Sequence, residues 1–177
     1  GSLGIGNEKN PNIAFSLPFG NNGHHSIGVD TGCNFDFFET IEVGIGGGFT
    51  HFFEHSFSQW RVPTSSHQYG IFPFMTSVDI SPGRNVFLHG NLHTHHFMDK
   101  LSLNAEYELV IHSPDTIRIT PATDSSFSTT VFTERSPWRT QSATLGMTYD
   151  LSPGLAIGIL WQAPLQQRNA YKSTTMM

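Results

Sequence analysis

The sequence predicts an all-β fold of long antiparallel strands. Apolar and polar residues alternate with period two over runs of about ten residues. A Ser-Pro-Gly or Ser-Pro-Asp break recurs between such runs. Gly, Phe, Ser, Thr, His and Asn are plentiful, charged residues make up only 13%, and good helix formers are scarce.

The alternation can be followed along the chain. Ile27, Val29, Thr31, Cys33, Phe35 and Phe37 stand against Gly28, Asp30, Gly32, Asn34 and Asp36. Ile41, Val43, Ile45, Gly47 and Phe49 stand against Glu42, Gly44, Gly46, Gly48 and Thr50. Val86, Leu88, Gly90 and Leu92 face away from His89, Asn91, His93 and His95. Leu101, Leu103, Ala105, Tyr107, Leu109 and Ile111 oppose Ser102, Asn104, Glu106 and Glu108. Two further runs set Leu145, Met147 and Tyr149, then Leu155, Ile157, Ile159 and Trp161, on an apolar face.

Ser81-Pro82-Gly83, Ser113-Pro114-Asp115 and Ser152-Pro153-Gly154 interrupt the alternation. Pro presets φ for the first corner of a turn and Gly supplies positive φ at the next, so each reads as a tight reversal. Phe38-Glu39-Thr40 takes the equivalent place between its two strands. Residues 56–67 and 121–137 read as long, polar, irregular connections. With every tight reversal placed on one rim, the other connections fall on the opposite rim. Ten strands in simple up-and-down order follow: 12–19, 26–37, 41–53, 69–80, 85–96, 101–112, 117–120, 140–150, 155–164 and 172 onward.

Runs of about ten residues match a tilted strand that crosses a hydrocarbon layer, whereas ordinary globular strands centre nearer five or six. The mean hydropathy of −0.21 is compatible with that, because such a strand shows lipid only at every second residue. No run of about 18 apolar residues exists, so a transmembrane helix is not expected. No secretion leader is read either, as no basic start precedes an apolar core. Cys33 is the one cysteine, which excludes an internal disulfide framework and a Cys-based zinc site. A net charge of −5 offers no basic footprint for nucleic acid.

Short turns on one side, longer loops on the other and dyad-alternating strands resemble bacterial outer-membrane β-barrel proteins. The resemblance covers nearly the whole chain and is architectural. It implies an up-and-down antiparallel transmembrane β-barrel over residues 12–177, preceded by a periplasmic segment over residues 1–11. It also implies a place in the cell outer membrane, with outer-membrane lipid as the partner. Phe35, Phe37 and Tyr149 near one rim, with Phe49, Phe52, Phe53 and Trp161 toward the other, match interfacial girdles. The tenth strand has about half a spanning length, so a missing segment, another copy or another chain is expected to complete closure. The competing fold is a secreted β-sandwich with its apolar face turned inward.

The polar faces name the candidate site. Asp30, Asn34, Glu42, His89, Asn91, His93, Asn104, Glu106 and Glu108 are expected to line a lumen. Antiparallel pairing about residues 97–100 sets His95 across from Ser102, His93 from Asn104, Asn91 from Glu106 and His89 from Glu108. Such residues fill a narrow lumen with hydrogen-bonding groups, and imidazoles beside carboxylates could also make its charge pH-sensitive. No metal or other cofactor is assigned. His93 and His95, two apart on a strand, are candidates for one ion, with Glu106 as third ligand.

No Gly-x-Ser-x-Gly or His-Glu-x-x-His motif occurs, and no catalysis is expected. Gly44-Ile45-Gly46-Gly47-Gly48 lies inside a strand, where Gly leaves room in a crowded wall. The expected function is a narrow small-solute pore or structural barrel. The alternatives are a surface binding module presenting residues 59–67 and 120–138, and a loop-rim hydrolase.

Overall fold

The computed structural model describes residues 23–38, 40–64, 72, 74–120, 127–169 and 175–176. The described residues form ten strands: β1 (Ser26–Phe37), β2 (Ile41–Phe52), β3 (His55–Val62), β4 (Phe74–Ser81), β5 (Asn85–Met98), β6 (Leu101–His112), β7 (Thr116–Thr120), β8 (Trp138–Ser152), β9 (Leu155–Arg168) and β10 (Thr175–Met176). One short helix, α1 (Thr130–Arg135), precedes β8. The fold is all-β, with the strands in two antiparallel sheets. No helix among the described residues is long and apolar enough to cross a membrane.

Strand order differs from the simple up-and-down series. Seven strands form one sheet in the order β1-β2-β5-β6-β8-β9-β10, and β3-β4-β7 form a second. Among the described residues the larger sheet does not close into a barrel; β1 and β10 are its outer strands. The expected strand at 12–19 lies outside the described residues, as does most of the segment from 172 onward.

The difference traces to β3, a strand where the sequence predicts an irregular connection. In β3 the pairing with β4 shifts between Phe57 and Trp60, after which Val62 meets Phe74. A bulge there moves the apolar positions from odd numbers (Phe57) to even ones (Trp60, Val62), so strict alternation is lost although one face stays apolar. With β3 present, two strands separate β2 from β5, and β5 returns antiparallel to β2. The tight reversals therefore do not share one rim. Asp150 N donates to Lys100 O at 2.9 Å and His95 N to Thr40 O at 2.8 Å, which gathers the β1–β2, β5–β6 and β8–β9 turns at one end of the large sheet. The Ser81-Pro82-Gly83 and Ser113-Pro114-Asp115 reversals meet each other at the opposite ends of β5 and β6, where Ser113 N donates to Arg84 O at 3.0 Å.

The described residues divide into two compact units. The first takes the residues up to Gly28, Thr50–Asn85 and His112–Pro137. It holds the small sheet and an apolar core of Phe57, Val62, Val78, Ile80 and Ile117, with Trp60, Ile119, Phe127 and Phe132 packed on it. Helix α1 brings buried Val131. The sheet is tied across its strands by Asp79, whose carboxylate accepts from Ser56 Oγ at 2.6 Å and Thr120 Oγ1 at 3.0 Å. Those bonds, the Ser56 one foremost, with Arg118 nearby, hold the Asp79 carboxyl below its ordinary value.

The second unit takes Val29–Phe49, Val86–Ile111 and the chain from Trp138 onward. Its strands are long: β5 and β9 have 14 residues each and β8 has 15. β8 and β9 pair Leu145 with Trp161, Met147 with Ile159 and Tyr149 with Ile157, three apolar pairs on one face. β9 runs past Pro164, where the alternation predicts it to end. A register shift between Gln141 and Ser142, beside the Ser142–Pro164 pair, accommodates a residue that has no N–H to give the ladder.

Candidate functional site

The faces of the second unit differ in kind. Val29, Phe35, Val43, Ile45, Leu88, Leu92, Leu145, Met147, Ile157 and Ile159 are all exposed large apolar side chains on the strands' apolar positions. The buried apolar residues of the protein, among those described, are Phe57, Val62, Val78, Ile80, Ile117 and Val131, and each belongs to the first unit. The second unit thus has an amphipathic sheet but no buried apolar core of its own among the described residues.

On the polar face of that sheet, β1 supplies Asn34, whose Nδ2 donates to Glu42 Oε1 on β2 at 2.7 Å. The glycines of β2 make this arrangement possible. A Cβ on Gly44 would collide with the side-chain amides of Asn91 and Asn34, and one on Gly46 would meet the His89 ring. Asn91 and His89 of β5 therefore occupy space that side chains at Gly44 and Gly46 would fill. The same register, fixed at its end by the bond from His95 N to Thr40 O, sets Glu42 opposite His93.

Further along the face, His89, Asn91, Glu106 and Glu108 line one groove of about 400 Å³ together with Ser142, Thr144 and Gln162. His93 and Asn104 share the neighbouring groove. His89, Asn91, Glu106 and Glu108 thus share one groove, and His93 and Asn104 share the next. Asn104 Nδ2 donates to Glu106 Oε1 at 3.0 Å, along the strand. Asp30 shares the alternation of Asn34 on β1 and is exposed.

His93 and His95 lie side by side, ring centroids 4.1 Å apart and planes 32° from parallel. The carboxylate that joins them is Glu42. One ligand atom from each of Glu42, His93 and His95 falls within 4.8 Å of the other two. Glu106, expected from the sequence as a third ligand, is not part of this cluster. Glu42 is expected from the sequence as a lumen residue and not as a ligand, because simple up-and-down order pairs β2 with the strand that follows it in sequence, whereas β2 lies against β5.

A second polar constellation belongs to the first unit. His112 Nδ1 meets Asn85 Oδ1 at 2.6 Å and its Nε2 meets Asp115 Oδ1 at 2.9 Å. Asp115 also accepts from Gly83 N at 2.7 Å, and its own N donates to Ser136 Oγ at 2.7 Å. With both imidazole nitrogens engaged, His112 clamps two chain reversals together instead of standing as a base poised on a hydroxyl.

No model of a known protein family matches the chain, and no curated protein matches it.

Proposed function

We propose that the large sheet is the wall of an outer-membrane β-barrel, with its apolar face in lipid and its polar face inward, acting as a narrow small-solute pore or structural barrel without catalysis. The observation that carries this is the exposed apolar face of the second unit, set against the absence of buried apolar side chains in that unit among the described residues. Soluble monomers rarely expose contiguous apolar patches beyond a few hundred Å², and a sandwich would bury this face against a second sheet. Lipid is the solvent that such a face suits.

Strand length and aromatics support the same reading. Strands of 12 to 15 residues exceed what a tilted crossing needs. Phe35, Phe37 and Tyr149 are exposed toward one end of the sheet, and Phe49 toward the other. In lipid the outer strands must find partners, because each unpaired backbone group costs several kcal/mol. A second copy of the chain or a further strand meets that need.

The groove over β5, β6, β8 and β9 that holds His89, Asn91, Glu106, Glu108, Ser142, Thr144 and Gln162 is lined by imidazole, amide, carboxylate and hydroxyl groups and suits a small polar solute. Reconstitution separates the arms. The chain should float with phospholipid vesicles and resist extraction by alkaline carbonate; recovery of a stable, detergent-free monomer would contradict the barrel. Current across a planar bilayer then distinguishes a pore from a closed structural barrel.

A binding-module reading has one observation of its own. The two long connections, β2 to β5 and β6 to β8, fold into a compact unit with its own apolar core instead of remaining irregular loops. A folded surface of this kind can present a contact to an external partner. Deleting residues 120–138 without loss of cell-surface binding would remove that reading.

A further inference from the structure

We infer that Glu42, His93 and His95 form a binding site for one divalent transition-metal ion of the zinc class. This holds whether or not the sheet lies in a membrane, because all three ligands stand on adjacent strands of one sheet.

The donor chemistry is two imidazoles and one carboxylate, a set that zinc and its neighbours accept with a fourth position left for water or a solute group. Hard cations such as Ca²⁺ and Mg²⁺ prefer oxygen ligands throughout, so this set discriminates against them. Zinc holds its ligands at about 2.0–2.2 Å, which in a tetrahedron places donor atoms roughly 3.4 Å apart. The present limit of 4.8 Å is therefore a little more than an ångström wider than the bound geometry. Small side-chain rotations span that gap.

The surroundings are already arranged as a second layer. Asn34 Nδ2 grips Glu42 Oε1 at 2.7 Å and so orients the carboxylate, as outer groups do around metal ligands. The backbone bond from His95 N to Thr40 O locks β5 against β2 at the site. His93 and His95 occupy alternate positions of β5, so their rings project from the same face and converge without backbone movement. Glu42 and His93 are half-buried while His95 is exposed, which leaves the ion an entry path.

The test is a titration of the full metal-free chain, folded in detergent micelles, with Zn²⁺ followed by calorimetry and Co²⁺ followed by visible absorption. One ion per chain is expected, with no response to Ca²⁺ or Mg²⁺. His93→Gln and His95→Gln should each weaken Zn²⁺ binding by about 100-fold or more, and Asn34→Ala by roughly tenfold, the range known for outer-layer partners. Glu42→Gln should weaken binding, whereas Glu42→His, which restores a third nitrogen ligand, should retain it. That last variant separates a lost ligand from a lost fold. His25→Gln, a surface histidine elsewhere, should leave the titration unchanged. Absence of stoichiometric binding, a Zn²⁺ affinity indifferent to His93→Gln and His95→Gln, or equal losses with His25→Gln would overturn the assignment.

Discussion

The two units solve the problem of apolar side chains in opposite ways. In the first, Phe57, Val62, Val78, Ile80 and Ile117 turn toward one another and leave water. In the second, the strands leave Val29, Ile45, Leu88, Met147 and Ile157 exposed on one face and carry His, Asn, Glu and Thr on the other. Hydrophobic burial holds the first unit together. The second relies on backbone ladders and on polar packing over glycines, and its apolar face awaits a solvent or a partner. What tells the two arrangements apart is whether the apolar face is covered by other side chains of the same unit.

The contrast can be broken at its strongest point by Phe57→Ala. Phe57 is 5% exposed and packs against His24, His55 and Trp60, so its loss should cost about 3–5 kcal/mol. Hydrogen exchange should report the loss in β3, β4 and β7. A change below about 1 kcal/mol would mean that the first unit has no cooperative core.

Ile159→Arg probes the other unit. A charge on a lipid-facing barrel position near the bilayer midplane costs about 2–4 kcal/mol, whereas an exposed position in water tolerates it within about 0.5 kcal/mol. Denaturant titration in phospholipid vesicles distinguishes the two outcomes. Gly44→Ala tests the packing of the polar face and should cost about 1–3 kcal/mol by overpacking against Asn91 and Asn34. Adding Asn91→Ala should recover part of that loss in a double-mutant cycle.

The smallest effect concerns Asp79. Its carboxyl is held below the ordinary aspartate value of 3.8, so the stabilisation is fully present above that value. It is lost as the pH falls further, through the lowered folded-state value. Asp79→Asn should lower stability slightly at neutral pH and flatten the acid limb of the stability curve. An unchanged acid limb would show that the Ser56 and Thr120 bonds do not favour the charged form.

Much of the larger sheet was legible in the sequence. Period two placed β1 and β6 to the residue and β5, β8 and β9 to within a few, because these strands carry an unbroken amphipathic pattern. The polar side chains His89, Asn91, Glu106 and Glu108, which the alternation puts on one face, line one groove. What escaped was non-local. The bulge between Phe57 and Trp60 hid β3, and without β3 no count could bring β2 beside β5. Glu42 was read as a lumen residue, yet its partnership with His93 and His95 depends on that pairing. Helix α1 was hidden for another reason: six residues carry too little periodicity to read.

The central claim is that the outward apolar face of the large sheet lies in lipid, and β9 offers the most direct measurement. Nitroxide labels placed one at a time on residues 155–162, in a Cys33→Ser background and in phospholipid vesicles, report access to oxygen in the bilayer and to a water-soluble nickel chelate. The expected result is a period of two, with Leu155, Ile157, Ile159 and Trp161 open to oxygen and shielded from nickel, and their even-numbered neighbours the reverse. Odd positions that are open to nickel, or shielded from both reagents by protein, would contradict the account.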